Sequence, residues 1–132
     1  MTKEEKQLLL IILCEMMPYG VKGIITYDES NTIFTVEGID NNVLHLSDAE
    51  ECYVEDFKPY LRPMSSMTEE EVKEFYMLLF RVERLGIPDI SKEQNAISLL
   101  YDWLNRNMFD YRGLIPKGLA IEVTKENNPY KN

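Results

Sequence analysis

The chain has 132 residues, 45% hydrophobic and 28% charged, with 23 Asp and Glu against 14 Lys and Arg, a formal charge of −9. One α+β domain over residues 1–132 is the expectation, long enough for a core of its own; the composition disfavours a disordered chain, a disulfide scaffold, a collagen and a transmembrane protein. The negative balance also argues against direct nucleic-acid binding, which rewards positive charge.

Thr2-Lys3-Glu4-Glu5 is a capping-box pattern, in which the Thr hydroxyl accepts from the third helical amide and Glu5 reaches back. It starts a helix over 3–16, which Pro18 and Gly20 stop. From Leu8 to Cys14 the run is apolar all round, as in a helix buried on most sides. Contact with a second copy of the chain is the alternative use of that surface. Lys3, Glu4, Glu5 and Lys6 cancel, and Glu15 interrupts the run, so it reads neither as a signal peptide nor as a membrane span. Cys14 and Cys52 have no metal-ligand spacing and are expected to be reduced, mostly buried thiols of a cytoplasmic protein.

Period-2 patterning follows. Residues 21–27, 32–37 and 43–47 read as strands, separated by turn signals at 28–31 and 38–42. Phe34 and Val36 share one face, as do Leu44 and Leu46, which fixes the register of an antiparallel meander. Residues 52–54 add a short edge piece, giving three to four strands. Pro59 and Pro63 make 57–67 irregular. Ser66-Met67-Thr68-Glu69, or Thr68 with Glu71 one frame later, caps a helix from about residue 68. Its stripe is Val72, Phe75, Tyr76, Leu79 and Val82, and Gly86 and Pro88 end it. Ser91-Lys92-Glu93-Gln94 opens another amphipathic helix over 92–108, with Ile97, Leu100, Tyr101, Leu104 and Met108 as its stripe and Trp103 on its flank. Residues 110–113 make a turn, 114–119 a short helical turn, and 120–132 a polar tail that frays.

Charge is the sharpest feature. Residues 28–56 hold nine acids and no Lys or Arg, which equals the charge of the whole chain; the remainder balances, with 14 of each sign. Such a region keeps a protein soluble, and it also attracts a cationic partner and repels phosphate backbones. Asp48, Glu50, Glu51, Glu55 and Asp56 are the candidate partner-binding residues. Their spacing lacks the alternating oxygens of a calcium loop, so no metal is expected.

Catalytic signatures are missing. The chain has no phosphate-binding glycine loop, no dinucleotide fingerprint, and neither zinc-protease nor serine-hydrolase patterns. The one histidine, His45, sits on a strand with Val43 and Ser47, and no spacing joins it to Cys14, Cys52, Ser65 or Ser66. No catalytic residue and no cofactor are therefore assigned. Arg112 follows a helix end and precedes Gly113, so it either pairs with Asp110 or caps the carbonyls of that helix, or else joins Tyr111 in a ligand-binding or enzymatic site.

Several stretches carry a resemblance. They are Pro18-Tyr19-Gly20-Val21-Lys22, Lys58-Pro59-Tyr60-Leu61-Arg62-Pro63-Met64-Ser65-Ser66-Met67-Thr68-Glu69-Glu70, Asp102-Trp103-Leu104-Asn105, Phe109-Asp110-Tyr111-Arg112-Gly113-Leu114-Ile115 and Lys117-Gly118-Leu119-Ala120. Together they resemble a family of short uncharacterised proteins from phages, prophages and mobile elements of gut Bacteroidales, over nearly the whole chain. The resemblance implies a phage setting in a bacterial cytoplasm and no particular activity. Members often carry histidine just before the Phe-Asp-Tyr-Arg-Gly stretch, where this chain has Asn107 and Met108. The leading expectation is an accessory protein that works by protein–protein contact through its acidic sheet region. The alternatives are a small enzyme or ligand-binding protein using Tyr111 and Arg112, and an assembly protein that self-associates through the first helix.

Overall fold

A computed structural model describes residues 1–84 and 90–131. The first capping box forms: Glu5 N donates to Thr2 Oγ1 at 3.1 Å and Thr2 N to Glu5 Oε1 at 2.9 Å. Helix α1 runs over Lys3–Met16, and a 3-10 turn over Met17–Tyr19 ends at Gly20, whose φ of 79° suits glycine. The helix is not buried all round, as its composition suggests. Leu9, Ile12, Leu13 and Met16 are buried at helical spacing, Leu8 and Leu10 are half-buried, and Ile11 is exposed. Cys14 is exposed too, against the expectation of a buried thiol. One stripe suffices because α1 lies against a single sheet.

Strands β1 (Lys22–Ile25), β2 (Phe34–Asp40), β3 (Val43–Leu46), β4 (Glu51–Tyr53), β5 (Phe57–Leu61) and β6 (Ile121–Glu122) form a mixed sheet in the order β4-β3-β2-β1-β5-β6. The antiparallel meander is its β1–β4 part, and the sheet exceeds the expected three or four strands by β5 and β6. β6 runs parallel to β5. β5 occupies a segment expected to be irregular because of Pro59. Thr26 N donates to Asp56 O at 2.8 Å, so in the alternation of an antiparallel pair Gly23 and Pro59 face each other at a non-hydrogen-bonded position. There the proline nitrogen points away from β1, and its missing N–H breaks no bond to it.

The link from β4 to β5 shapes the sheet. The two strands lie four positions apart in strand order yet are joined by one 3-10 turn, Val54–Asp56. Four strand spacings in a flat sheet come to about 19 Å, whereas this link reaches about 14 Å when fully extended. The sheet therefore curls, and an irregularity between Val36 and Gly38 supplies part of the bend. Its concave face carries Phe34, Val36, Leu44 and Leu46, inward as the patterning predicts, together with Ile25, Val54, Phe57 and Leu61; α1 covers them.

Helices α2 (Glu69–Arg84) and α3 (Ile90–Arg106) build a second core from Leu100, Trp103, Leu104 and Phe109, with Phe75, Leu78, Leu79 and Val82 against it. Of the two capping frames the later forms: Glu71 N donates to Thr68 Oγ1 at 3.1 Å and Thr68 N to Glu71 Oε1 at 2.9 Å. Both stripes are rotated from expectation. Tyr76 is 62% exposed and Leu78 takes its place; on α3, Trp103 is central while Ile97 and Tyr101 face outward. Tertiary packing selects among several apolar rows that the sequence offers. The expected stop at Gly86 and Pro88, and the third capping box at Ser91-Lys92-Glu93-Gln94, lie outside the residues whose placement or side chains are described. Among the described residues no helix is long and apolar enough to cross a membrane.

The expected frayed tail is tied down instead. Val123 N donates to Leu61 O at 2.8 Å, and the Tyr130 hydroxyl enters the gap between β1 and β5. It accepts from Lys22 N at 2.9 Å and donates to Tyr60 O at 2.7 Å. Burial holds its pKa above the usual phenol value.

Two substitutions test this packing. A Cβ on Gly23 would lie 2.6 Å from Phe57 Cζ and nearer still to the Lys58 carbonyl. Gly23→Ala is expected to destabilise by about 1–3 kcal/mol, read by urea unfolding. Asp48 and Ala49 in the β3–β4 turn have φ of 60° and 59°. Ala49→Gly removes that left-handed strain and is expected to raise stability by about 0.5–1 kcal/mol.

Candidate functional site

The five candidate acids bracket the edge strand β4. Asp48 and Glu50 belong to the turn before it, Glu51 to the strand, and Glu55 and Asp56 to the 3-10 turn after it. None is buried. The other acids of 28–56 sit on β2 or on the β1–β2 connection, while the Asp56 carbonyl accepts from Thr26 N at the end of β1, so the charge runs from β4 across β2 to the end of β1. Two acids have basic neighbours: Glu55 lies 3.4 Å from Lys6 Nζ and Glu51 3.2 Å from His45 Nδ1.

Beside β4 is a hollow of about 240 Å³ lined by Tyr27, Val43, Glu51, Cys52 and Tyr53. Tyr27 is 66% and Tyr53 58% exposed. Two tyrosine rings and a carboxylate around one hollow suit a cationic side chain, which the ring faces attract and the carboxylate neutralises. His45 pairs with Glu51 on the outer face, whereas Cys52 is buried, so the two do not form a nucleophile–base pair. Burial, helped by Asp56 and Glu55, pushes the Cys52 thiol up to about 12, far from thiolate chemistry.

Tyr111 and Arg112 are drawn into a latch on α1. The Tyr111 hydroxyl donates to Glu15 Oε2 at 2.6 Å, with Asn105 Oδ1 2.8 Å from the same oxygen, and Arg112 Nη2 donates to Glu15 Oε1 at 2.9 Å. Burial first, then the Glu15 contact, pushes the Tyr111 hydroxyl up to about 12 and keeps it a donor. Asp110 is not the partner of Arg112. Its carboxylate accepts from Leu114 N at 2.7 Å and Ile115 N at 2.8 Å and shapes the loop. Arg112 Nε is buried without a hydrogen-bond partner.

A second, larger feature escapes a sequence reading. A groove of about 900 Å³ opens between the start of β1, the end of β5, the C-terminus of α3 and residues 123–131. Lys22, Arg62, Arg106, Lys125 and Lys131 line it, and no Asp or Glu does among the described residues. Those cations come from four separate stretches of a chain whose overall charge is negative, so no local pattern announces them.

Arg62 builds one wall. Its N donates to Met108 O at 2.7 Å and its carbonyl accepts from Asp110 N at 2.8 Å. Its guanidinium lies 4.3 Å from the Phe109 ring centre and meets Glu71 through two bonds of 2.8 and 2.7 Å. Among the described residues, no group of three or more His, Cys, Asp and Glu converges as a metal-ligand set. Comparison with protein-family models, curated proteins and solved structures finds no match.

The Arg62–Glu71 pair has a pH signature. The Arg62 bonds hold the Glu71 carboxyl below its ordinary value of 4.5. A lowered folded value means stability fully present above about 4.5 and lost as pH falls below that and through the lower folded value. Glu71→Gln is expected to cost about 1.5–3 kcal/mol at neutral pH. In urea melts from pH 7 to pH 3, the gap to the unmodified chain should close on the acid side.

Proposed function

We propose that this chain is a small accessory protein of phage or prophage type that works by recognition, docking a cationic partner protein against the acidic half of its sheet. The observation that carries the reading is the hollow of Tyr27, Glu51 and Tyr53 beside an edge strand bracketed by Asp48, Glu50, Glu55 and Asp56. A Lys or Arg of the partner enters between the rings, and the flanking carboxylates steer its approach. The exposure of Asp48, Glu50, Glu51 and Glu55, with Asp56 half-buried, supports an outward-facing role for them. The commitment of Tyr111 and Arg112 to Glu15 supports recognition over a reaction at that place.

The test is quantitative capture from bacterial lysate. Three forms are compared: the unmodified chain, a form with Asp48→Asn, Glu50→Gln, Glu51→Gln, Glu55→Gln and Asp56→Asn, and Tyr53→Ala. The unmodified chain should retain a basic protein that raised salt releases. Both variants, with melting temperatures unchanged, should lose about tenfold or more of it. Equal recovery by all three removes the reading.

A further inference from the structure

The cationic groove lies on the β1–β5–β6 side of the molecule and takes no part in docking at β4. Among the described residues, the Lys and Arg ion pairs are Lys6–Glu55, Arg62–Glu71 and Arg112–Glu15, and His45 lies against Glu51. Arg62 is thus neutralised by Glu71, while Lys22, Arg106, Lys125 and Lys131 have no carboxylate partner there. Lys22 Nζ is positioned by Thr35 Oγ1 at 2.7 Å. Four uncompensated cations around one hollow, in a chain of net charge −9, concentrate positive potential where an anion enters.

The dimensions and rim narrow the ligand. A volume of about 900 Å³ falls in the range of small-molecule sites. Four separated cations exceed what a single phosphate uses and match several phosphates in a row. Tyr19, 39% exposed, offers a ring face at the rim, on which a planar base can stack. Asn107 and Asn128 line the same hollow. The Asn107 amide nitrogen is used on Trp103 O and the Asn128 side-chain oxygen on Tyr130 N, which leaves the opposite end of each amide for polar groups of a base or sugar. The net charge of −9 opposes a long polyanion, whereas a short one meets only the groove.

We infer that this groove binds a nucleoside polyphosphate, its phosphates held by Lys22, Arg106, Lys125 and Lys131 and its base laid on Tyr19. The tail is part of the site, because the Tyr130 hydroxyl fixes it to β1 and β5 between the two lysines it brings and the strands.

Isothermal titration at low salt tests this with four probes: adenosine triphosphate, guanosine triphosphate, tripolyphosphate, and an oligothymidine of about ten nucleotides. A nucleoside triphosphate should bind saturably. Lys125→Glu with Lys131→Glu, and separately Arg106→Gln, should weaken it about tenfold or more at unchanged melting temperature. Tyr19→Ala should weaken the nucleotide and leave tripolyphosphate unaffected, and Lys73→Glu on α2 should change neither. No saturable nucleotide binding, or charge variants that bind as well as the unmodified chain, overturns the site. Tripolyphosphate bound as tightly as the nucleotide, with Tyr19→Ala inert, overturns the nucleotide assignment, and so does tighter binding of the oligonucleotide.

Discussion

Arg62 is the joint on which the architecture turns. It stands one residue past β5, where the sheet ends and the helical pair begins. Its backbone extends the sheet edge onto residues 108–110, the loop that leaves α3, and its guanidinium reaches Glu71 near the start of α2. Glu71 in turn caps α2 by accepting from Thr68 N. One side chain therefore ties a strand end, a helix start and a helix exit, and a planar guanidinium is suited to that because it can stack on Phe109 while bonding a carboxylate at its edge. Without this joint the second core would hang on the sheet by Tyr111, which packs against both clusters, and by the latch on Glu15.

The same joint separates the charges. The curled sheet leaves β4 at one edge, with the acids of 48–56 around it, and gives the other edge to β6 and to the exit of α3. There the basic residues of β1, α3 and the tail converge. The acidic surface around β4 and the cationic groove are thus separate surfaces of opposite charge. Edge strand β4 is also short and flanked by carboxylates, a combination that discourages edge-to-edge pairing with another sheet.

Much of the fold is legible from local chemistry. The Thr2–Glu5 and Thr68–Glu71 boxes set two helix starts, and the alternation of Phe34, Val36, Leu44 and Leu46 set the inward face of the hairpin. Misreadings occur where a local rule meets a tertiary exception. Pro59 argues against a strand until its partner Gly23 is known to face it at a position that asks for no N–H. Residues 120–131 look like a fraying tail because the two anchors, Val123 N on Leu61 and the Tyr130 hydroxyl on Lys22 and Tyr60, bridge partners far away in the chain. The stripe errors on α2 and α3 have a common cause: both helices carry more apolar residues than one face can bury, and only the neighbouring element decides which row goes inside.

By itself the sequence determined the α+β class, the first helix with its cap, the inward faces of the two hairpin strands and the acidic character of residues 28–56, because each depends on residues within a few positions of one another; the register itself, with Val36 opposite Leu46 and an irregularity before Gly38, was not among them. Only the tertiary structure decided the crossing of β5 to the far side of β1, the parallel β6, the pairing of Arg112 with Glu15 and the assembly of the cationic groove. Each of these joins groups tens of residues apart, and no local periodicity encodes which distant surfaces meet when the sheet curls.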